Sequence, residues 1–435
     1  MTNTKLNKIL MVFLIIVAAI ALLLAIYFLP PVHSRLSWRV SSLRANIHYF
    51  FNPSDEVLIE LGQAEIAGML TRTPTATELP PTATLVPSLT PTDYVPPTAT
   101  LTATPSPSPT PIPSTFQLEG VVHEFQTFNN CGPASLSMAL SYWGWEGDQH
   151  ITAAWLKPNP KDRNVMPYEM VDYVRTQTNL NAVLRWGGDL EMIHQFIAAG
   201  FPVLIERGFY EEVPQQTWMG HYNVITGYDT EKQIFIVQDS FGGPNTIYSF
   251  ERIGRHWRAF NYAFIIIYPP DREARVFDLL GPHADETYNL QQAAQKAREE
   301  IEVLSGRELF FAWYNLGSSL VGLRDYYGAA EAFDQAYVVY NELGSKPFRI
   351  TWYVTEPYFA YYHTGRYQDV IDLANITISF VSNEPAIGET WVWRGRARLK
   401  LGDEDGAVSD FREALKWHPG WWVAENELRN LGLTP

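Results

Sequence analysis

The chain has 435 residues, too many for one ordinary domain, and 46% of them are hydrophobic, enough to build real cores. Its net charge of −15, with no block of Lys and Arg, argues against a nucleic-acid partner. A single cysteine, Cys131, excludes an internal disulfide and leaves an unpaired thiol that calls for a chemical reason.

After an eight-residue tail (1–8), positions 9–29 form a nearly unbroken apolar run, about the length that crosses a bilayer as a helix. It is longer than the apolar region of a cleaved signal and lacks a small-x-small site, so an uncleaved transmembrane helix is expected. Lys5 and Lys8 precede it, while Arg35, Arg39 and Arg44 follow, so flanking charge does not decide the orientation. Residues 30–70 read as a helical juxtamembrane stalk, broken at Asn52-Pro53-Ser54. Residues 71–115 are rich in Thr and Pro, cannot bury a core, and are expected to stay extended as a linker. Such stalks suit a cell surface, so the expectation is a single-pass protein of the cell membrane with its larger domains extracytoplasmic.

Residues 116–271 read as mixed α and β. A helix is expected to open at Cys131, since Pro133 is tolerated in a first turn and Ala134, Met138, Ala139 and Tyr142 recur at helical spacing. A thiol there lies at the positive end of the helix dipole, which favours thiolate. Further helices are predicted at 166–177 and at 190–199, the latter capped by Asp189 and ended by Gly200. Strands are predicted at 202–207, 221–228, 233–239 and 262–268, with 229–232 turning between the second and third, and Pro269-Pro270 closing the domain.

Residues 284–435 are helical in period and repeat. Trp313, Leu316, Gly317, Ala329, Phe333 and Ala336 have the spacing of a tetratricopeptide repeat. Trp391, Gly395, Ala407, Phe411, Ala414 and Pro419 follow it, and Gly365, Tyr367, Val370 and Ala374 mark a middle copy with a weak first helix. The predicted units are about 310–343, 351–384 and 388–421, with a preceding helix at 284–304 and a closing one at 421–431.

A thiol nucleophile needs a base, a group to orient that base, and donors for the oxyanion. His221 follows Gly220 and starts a strand. A turn centred near Thr230 sets His221 opposite Asp239, Asn223 opposite Val237 and Ile225 opposite Phe235; Asp229, in the turn, is the rival carboxylate. Gln126 lies just upstream of the thiol. The expected roles are Cys131 as nucleophile, His221 as base and acid, Asp239 as its orienter and Gln126 as an oxyanion donor. His123, His150, His194 and His256 show no metal-ligand spacing and are expected to be structural; no metal and no cofactor are expected.

The segments QTFNNCGPASLSMAL, GHYNVITGYD and IVQDS together resemble the bacteriocin-processing cysteine peptidases, which cut double-glycine leaders. The resemblance covers about 116–270. It implies a papain-like α+β fold with the order Cys, His, Asp and an oxyanion glutamine before the cysteine, on Cys131, His221, Asp239 and Gln126. No transporter helices or nucleotide-binding motif follow, so it is nearest to stand-alone relatives, and a double-glycine site is not implied. The expected architecture is thus a papain-like cysteine peptidase domain, an all-α tetratricopeptide solenoid and an N-terminal transmembrane helix. The expected activity is cleavage of a peptide or protein substrate through a thioester, with a protein partner held by the repeats and the membrane engaged by residues 9–29. A non-catalytic peptide-binding module, or a thioester-forming acyltransferase, is the alternative.

Overall fold

In a computed structural model, residues 112–435 are described except 160, 210–217 and 382–384, together with Met11. The apolar run, the stalk and nearly all of the Thr/Pro linker therefore lie outside the described residues. Among the described residues, no helix is long and apolar enough to cross a membrane.

The first domain is built on a seven-stranded antiparallel sheet: β1 (Thr115–Gln117), β2 (Asn181–Arg185), β3 (Val203–Phe209), β4 (Met219–Asp229), β5 (Ile234–Asp239), β6 (Gly243–Ser249) and β7 (Phe264–Tyr268). The order is β2-β7-β3-β4-β5-β6, and β1 pairs with the far end of β4. The apolar runs of β3 and β7 do not alternate with polar residues because helices cover both faces of the sheet. Leu204, Ile265 and Ile267 face one side, where they meet α1 (Cys131–Ser141), α2 (Gln149–Leu156) and α3 (Pro167–Gln177). Val203, Ile205, Phe264 and Ile266 face the other and meet α4 (Leu190–Ala198), α5 (Phe250–Trp257) and α6 (Glu273–Leu280).

Several expectations are met in detail. Asp189 caps α4 by accepting from the Met192 N–H at 2.8 Å, and Gly200 follows it at φ +91°. Other elements carry weaker signals and come from tertiary pairing: β2 joins the sheet through β7, and β6 through β5. The core also continues past Pro269-Pro270, because α6 contributes Val276 and Leu280 to it. The helix at Cys131 is not one-sided: Gly132 to Leu140 are all buried, so it is an internal helix wrapped by neighbours rather than an amphipathic surface one.

The C-terminal region is all helical. A long α7 (Glu286–Val303) precedes the pair α8 (Gly306–Gly322) and α9 (Tyr326–Glu342). A one-turn α10 (Ile350–Tyr353) leads to the short α11 (Glu356–His363) with α12 (Tyr367–Ser379). Then come α13 (Gly388–Lys400), α14 (Glu404–Trp417) and the closing α15 (Trp422–Asn430). The repeat is visible atom by atom. A Cβ on Gly317 would sit 2.7 Å from the Phe333 ring, and one on Gly395 would sit 2.6 Å from the Phe411 ring. In both copies the missing side chain lets one helix lean on the aromatic of its partner. Asp325 and Asp403 likewise cap the second helix of each pair, accepting from the N–H groups of Gly328 and Gly406 at 3.0 and 2.9 Å.

Gly317→Val fills a space already taken by Phe333. It is expected to cost about 1–3 kcal/mol through overpacking, read as an earlier midpoint in chemical denaturation of the full chain.

Candidate active site

The helix α1 starts with Cys131 as its first residue, so the thiol sits at the end where backbone N–H groups are unpaired and the dipole is positive. The helix is pressed deep into the domain. A Cβ on Gly132 would lie 3.0 Å from Met170 and 3.2 Å from Val165, so this position has no room for a side chain. One turn on, the Ser135 hydroxyl donates to the Tyr222 carbonyl at 3.0 Å. That bond fastens α1 to β4 next to His221, and it is why residues 90 apart in sequence meet.

The loop before the thiol is held by two side chains that sequence reasoning did not single out. Gln149, buried on α2, accepts from the Thr127 N–H at 2.7 Å and from Asn130 Nδ2 at 3.0 Å, and donates to the Phe125 carbonyl at 2.8 Å. Glu124 accepts from the Gln149 N–H at 3.0 Å and from the Ser137 hydroxyl. Gln126, within this loop, is bound to the segment after β5: its N–H donates to the Ser240 carbonyl, and its Oε1 accepts from the Ser240 hydroxyl, both at 2.9 Å.

His221 and Asp239 meet, but not by the expected register. The β4–β5 ladder pairs Val224 with Gln238 and Ile225 with Val237, then slips at a bulge so that Gly227 faces Ile236 and Tyr228 faces Phe235. The turn is centred further along than Thr230, over Thr230–Gln233, with Gln233 at φ +57°. Ile225 is therefore not opposite Phe235, nor Asn223 opposite Val237. Continued by one step, the ladder sets Asn223 opposite Asp239 and leaves His221 as the diagonal neighbour, on the same face and still within side-chain reach. The contact is direct: His221 Nε2 lies 2.9 Å from Asp239 Oδ1. Asp229, the rival carboxylate, is occupied in the turn by the Lys232 N–H at 2.9 Å.

Asp239 is completely buried and fully used. Besides His221, Oδ1 accepts from the N–H groups of Phe241 at 2.8 Å and Gly242 at 3.0 Å. Oδ2 accepts from the Tyr248 hydroxyl at 2.7 Å and from Arg207 Nη2 at 3.3 Å. Arg207 is 1% exposed, sits directly across the β3–β4 ladder from His221, and also binds Asn223 and, at 3.2 Å, His256 Nδ1. Its signal in the sequence is slight: Glu206 and Arg207 are adjacent charges after an apolar run. His123 reaches the same place, with Nε2 3.0 Å from the Asp239 carbonyl oxygen. It and His256 brace the aspartate segment, while His194 packs among Tyr228, Phe235 and Phe250.

The electrostatics follow from this set. Burial alone would push the Asp239 carboxyl up; the charges of His221 and Arg207, the His221 hydrogen bond and the Gly242 N–H hold it well below the usual carboxylate range. Burial would depress His221, but the Asp239 charge and hydrogen bond, with Cys131 adding, raise it to about 9. With Nε2 taken by Asp239, the imidazole meets the thiol through its other nitrogen. Burial opposes the Cys131 thiolate; the hydrogen bond and charge of His221, then the Tyr222 backbone and Lys157, outweigh it and bring the thiol below its ordinary range. Cys131 as a residue is only partly buried. No group of His, Cys, Asp and Glu among the described residues is arranged to hold a metal ion.

Residues 110–265 match the Peptidase_C39 like family, and residues 388–420 match a tetratricopeptide repeat. The chain thus carries a C39-like peptidase domain followed by C-terminal tetratricopeptide repeats. Among solved structures, one described as a putative C39-like peptidase from Bacillus anthracis is 17% identical, over 35% of this chain and 96% of that one, with a TM-score of 0.30. No curated protein matches the chain.

Arg207→Met removes a buried cation and leaves the Asp239 carboxylate under-compensated. Loss of about 3 kcal/mol is expected, typical of breaking a buried pair, measured by urea denaturation at pH 7. The depressed Asp239 carboxyl stabilises the fold above its unfolded-state pKa, and this is lost as pH falls through the folded value. The variant should therefore lose less stability than the wild type on acidification.

Proposed function

We propose that the protein is a membrane-anchored thiol peptidase that cleaves a peptide bond through an acyl-enzyme on Cys131. The observation that carries this reading is the 2.9 Å contact of His221 with a buried, ionised Asp239, with His221 in turn drawing the Cys131 thiol below its ordinary range. Between the lowered thiol pKa and the raised imidazole pKa the pair rests as thiolate and imidazolium.

In this mechanism the Cys131 sulfur attacks the scissile carbonyl carbon, and the carbonyl electron pair moves to oxygen. The Cys131 backbone N–H, at the helix start, and the Gln126 amide stabilise that oxyanion. The oxyanion collapses, the C–N bond breaks, and His221 gives its proton to the departing amine. The remaining thioester is opened by water, whose proton His221 accepts, and the thiolate and imidazolium are restored. Asp239 fixes the ring and offsets its charge throughout. Ser240 supports the Gln126 assignment, because its hydroxyl occupies Oε1 and so fixes the plane of the amide.

The repeats add a surface for a protein partner or substrate, in keeping with the matched repeat. The apolar run 9–29 supports a single membrane span, and the Thr/Pro segment after it supports an extracytoplasmic side for both folded domains.

A peptide-library digest by the full chain, compared with Cys131→Ala, tests the activity. Cleavage products that vanish in the variant support a peptidase; identical patterns reject it, and an uncleaved peptide retained by both proteins indicates a binding module instead. With a cleaved peptide in hand, kcat/KM is expected to fall on the alkaline side with a midpoint near pH 9, as the imidazolium that protonates the leaving amine is lost.

A further inference from the structure

The repeats do not hang from the peptidase domain as a separate arm. Trp218, Ala259 and Phe260 of the peptidase domain belong to the same buried cluster as the repeat helices. Trp218 stacks on Phe260 with ring centres 5.6 Å apart and planes 13° apart, and it meets Phe311 at 5.6 Å and Tyr353 at 6.0 Å. Polar groups close the same seam: Asn261 Nδ2 donates to the Ser319 hydroxyl at 2.9 Å, and Asn315 Nδ2 donates to the Arg258 carbonyl at 2.8 Å. Arg258 also pairs with Glu300 at 3.0 Å and Glu308 at 2.5 Å, with all three side chains largely withdrawn from solvent.

One contact in this seam lies at the catalytic strand. Tyr353, the last residue of α10, lays its ring against the backbone of Gly220, the neighbour of His221. A Cβ on Gly220 would meet Tyr353 ring carbons at 3.0 and 3.1 Å and Phe260 at 2.9 Å. The same ring packs edge-on to Phe260, with centres 5.8 Å apart, so the two aromatics close over the Gly220 backbone together. Arg349, four residues earlier, donates to the Trp218 carbonyl at 3.4 Å, and Cys131 and Glu206 are the nearby titratable groups of the peptidase domain. The start of β4 is thus gripped at two backbone positions, Trp218 and Gly220, by residues from the repeat side. Within the sheet, β3 is the strand paired with this stretch among the described residues, and the Gly208–Gly220 pair in that ladder has no side chains to stiffen it.

We propose that Tyr353 is a positioning residue for His221, so that the tetratricopeptide region forms one wall of the thiol site and is needed to set the imidazole against Cys131. The proposal rests on the Cys131–His221 reading above. It assigns the repeats a structural part in the site, in addition to any partner they bind. The aromatic ring blocks the β4 backbone from moving away from α1, and so keeps the Gly220 peptide in the place that presents His221.

Cys131 is the only thiol in the chain, so alkylation by iodoacetamide, followed by intact mass across a pH series, reads its thiolate directly. The full chain, purified in detergent, is compared with Tyr353→Ala, Tyr353→Leu and the surface control Val338→Ser on α9. With the ring removed, labelling at pH 7 is expected to slow about ten-fold and its midpoint to rise by about one pH unit. Tyr353→Leu, which keeps part of the bulk and loses the flat ring face against Gly220, should slow about three-fold. The control should follow the wild type. Wild-type curves for both tyrosine variants overturn the proposal, and if Tyr353→Ala does not fold, Tyr353→Leu alone decides it. A different result separates the premise: if the wild type labels only in the range of an ordinary thiol and His221→Ala follows the same curve, the Cys131–His221 reading itself fails.

Discussion

The site depends on one buried carboxylate having all of its hydrogen-bonding capacity filled. Asp239 is fully enclosed, yet it accepts from an imidazole, two backbone N–H groups, a phenol and a guanidinium. An isolated carboxylate in such a place would take up a proton. Here five donors and two cations keep it charged, and its charge keeps His221 protonated against the effect of burial. That protonation then carries over to the thiol. The sheet contributes the geometry: the bulge after Ile225 sets the register, β6 brings Tyr248, and β3 brings Arg207 across from the histidine.

The same logic explains what the sequence could reveal. Cys131 before Gly132-Pro133, and His221 after Gly220, are short-range signals, and each was readable because local backbone demands leave a mark on residue choice. The repeats were readable because Gly317 with Phe333 and Gly395 with Phe411 recur at one spacing. Paired helices of such arrays contact near neighbours in the chain, so their packing rules show in a linear pattern.

What was not readable comes from long-range pairing. The hairpin pattern paired two residues that do meet, but the turn lies further along than Thr230 and the bulge then shifts the ladder by one residue; alternation alone locates neither. Arg207 and Tyr248 looked like an ordinary charge and an ordinary strand aromatic until the fold brought them to one oxygen. Gln149 and Glu124, which shape the loop before the thiol, carry no spacing signature at all. The strands at Asn181–Arg185 and Gly243–Ser249 are defined by their partners more than by their own residues.

Trp218 has a consequence for how the molecule ages. Its ring lies inside the helical half while its backbone belongs to the sheet half, and Phe260 shares that placement. The two halves are therefore clasped by non-covalent packing as well as by the chain that joins them. A nick in the connecting stretch around Gly281 would leave the fragments associated, and a boundary drawn between the sheet and the repeat helices would cut through a common interior. Recombination that replaced one half with an unrelated partner would strand a tryptophan and a phenylalanine in water, so the two parts are constrained to be inherited together.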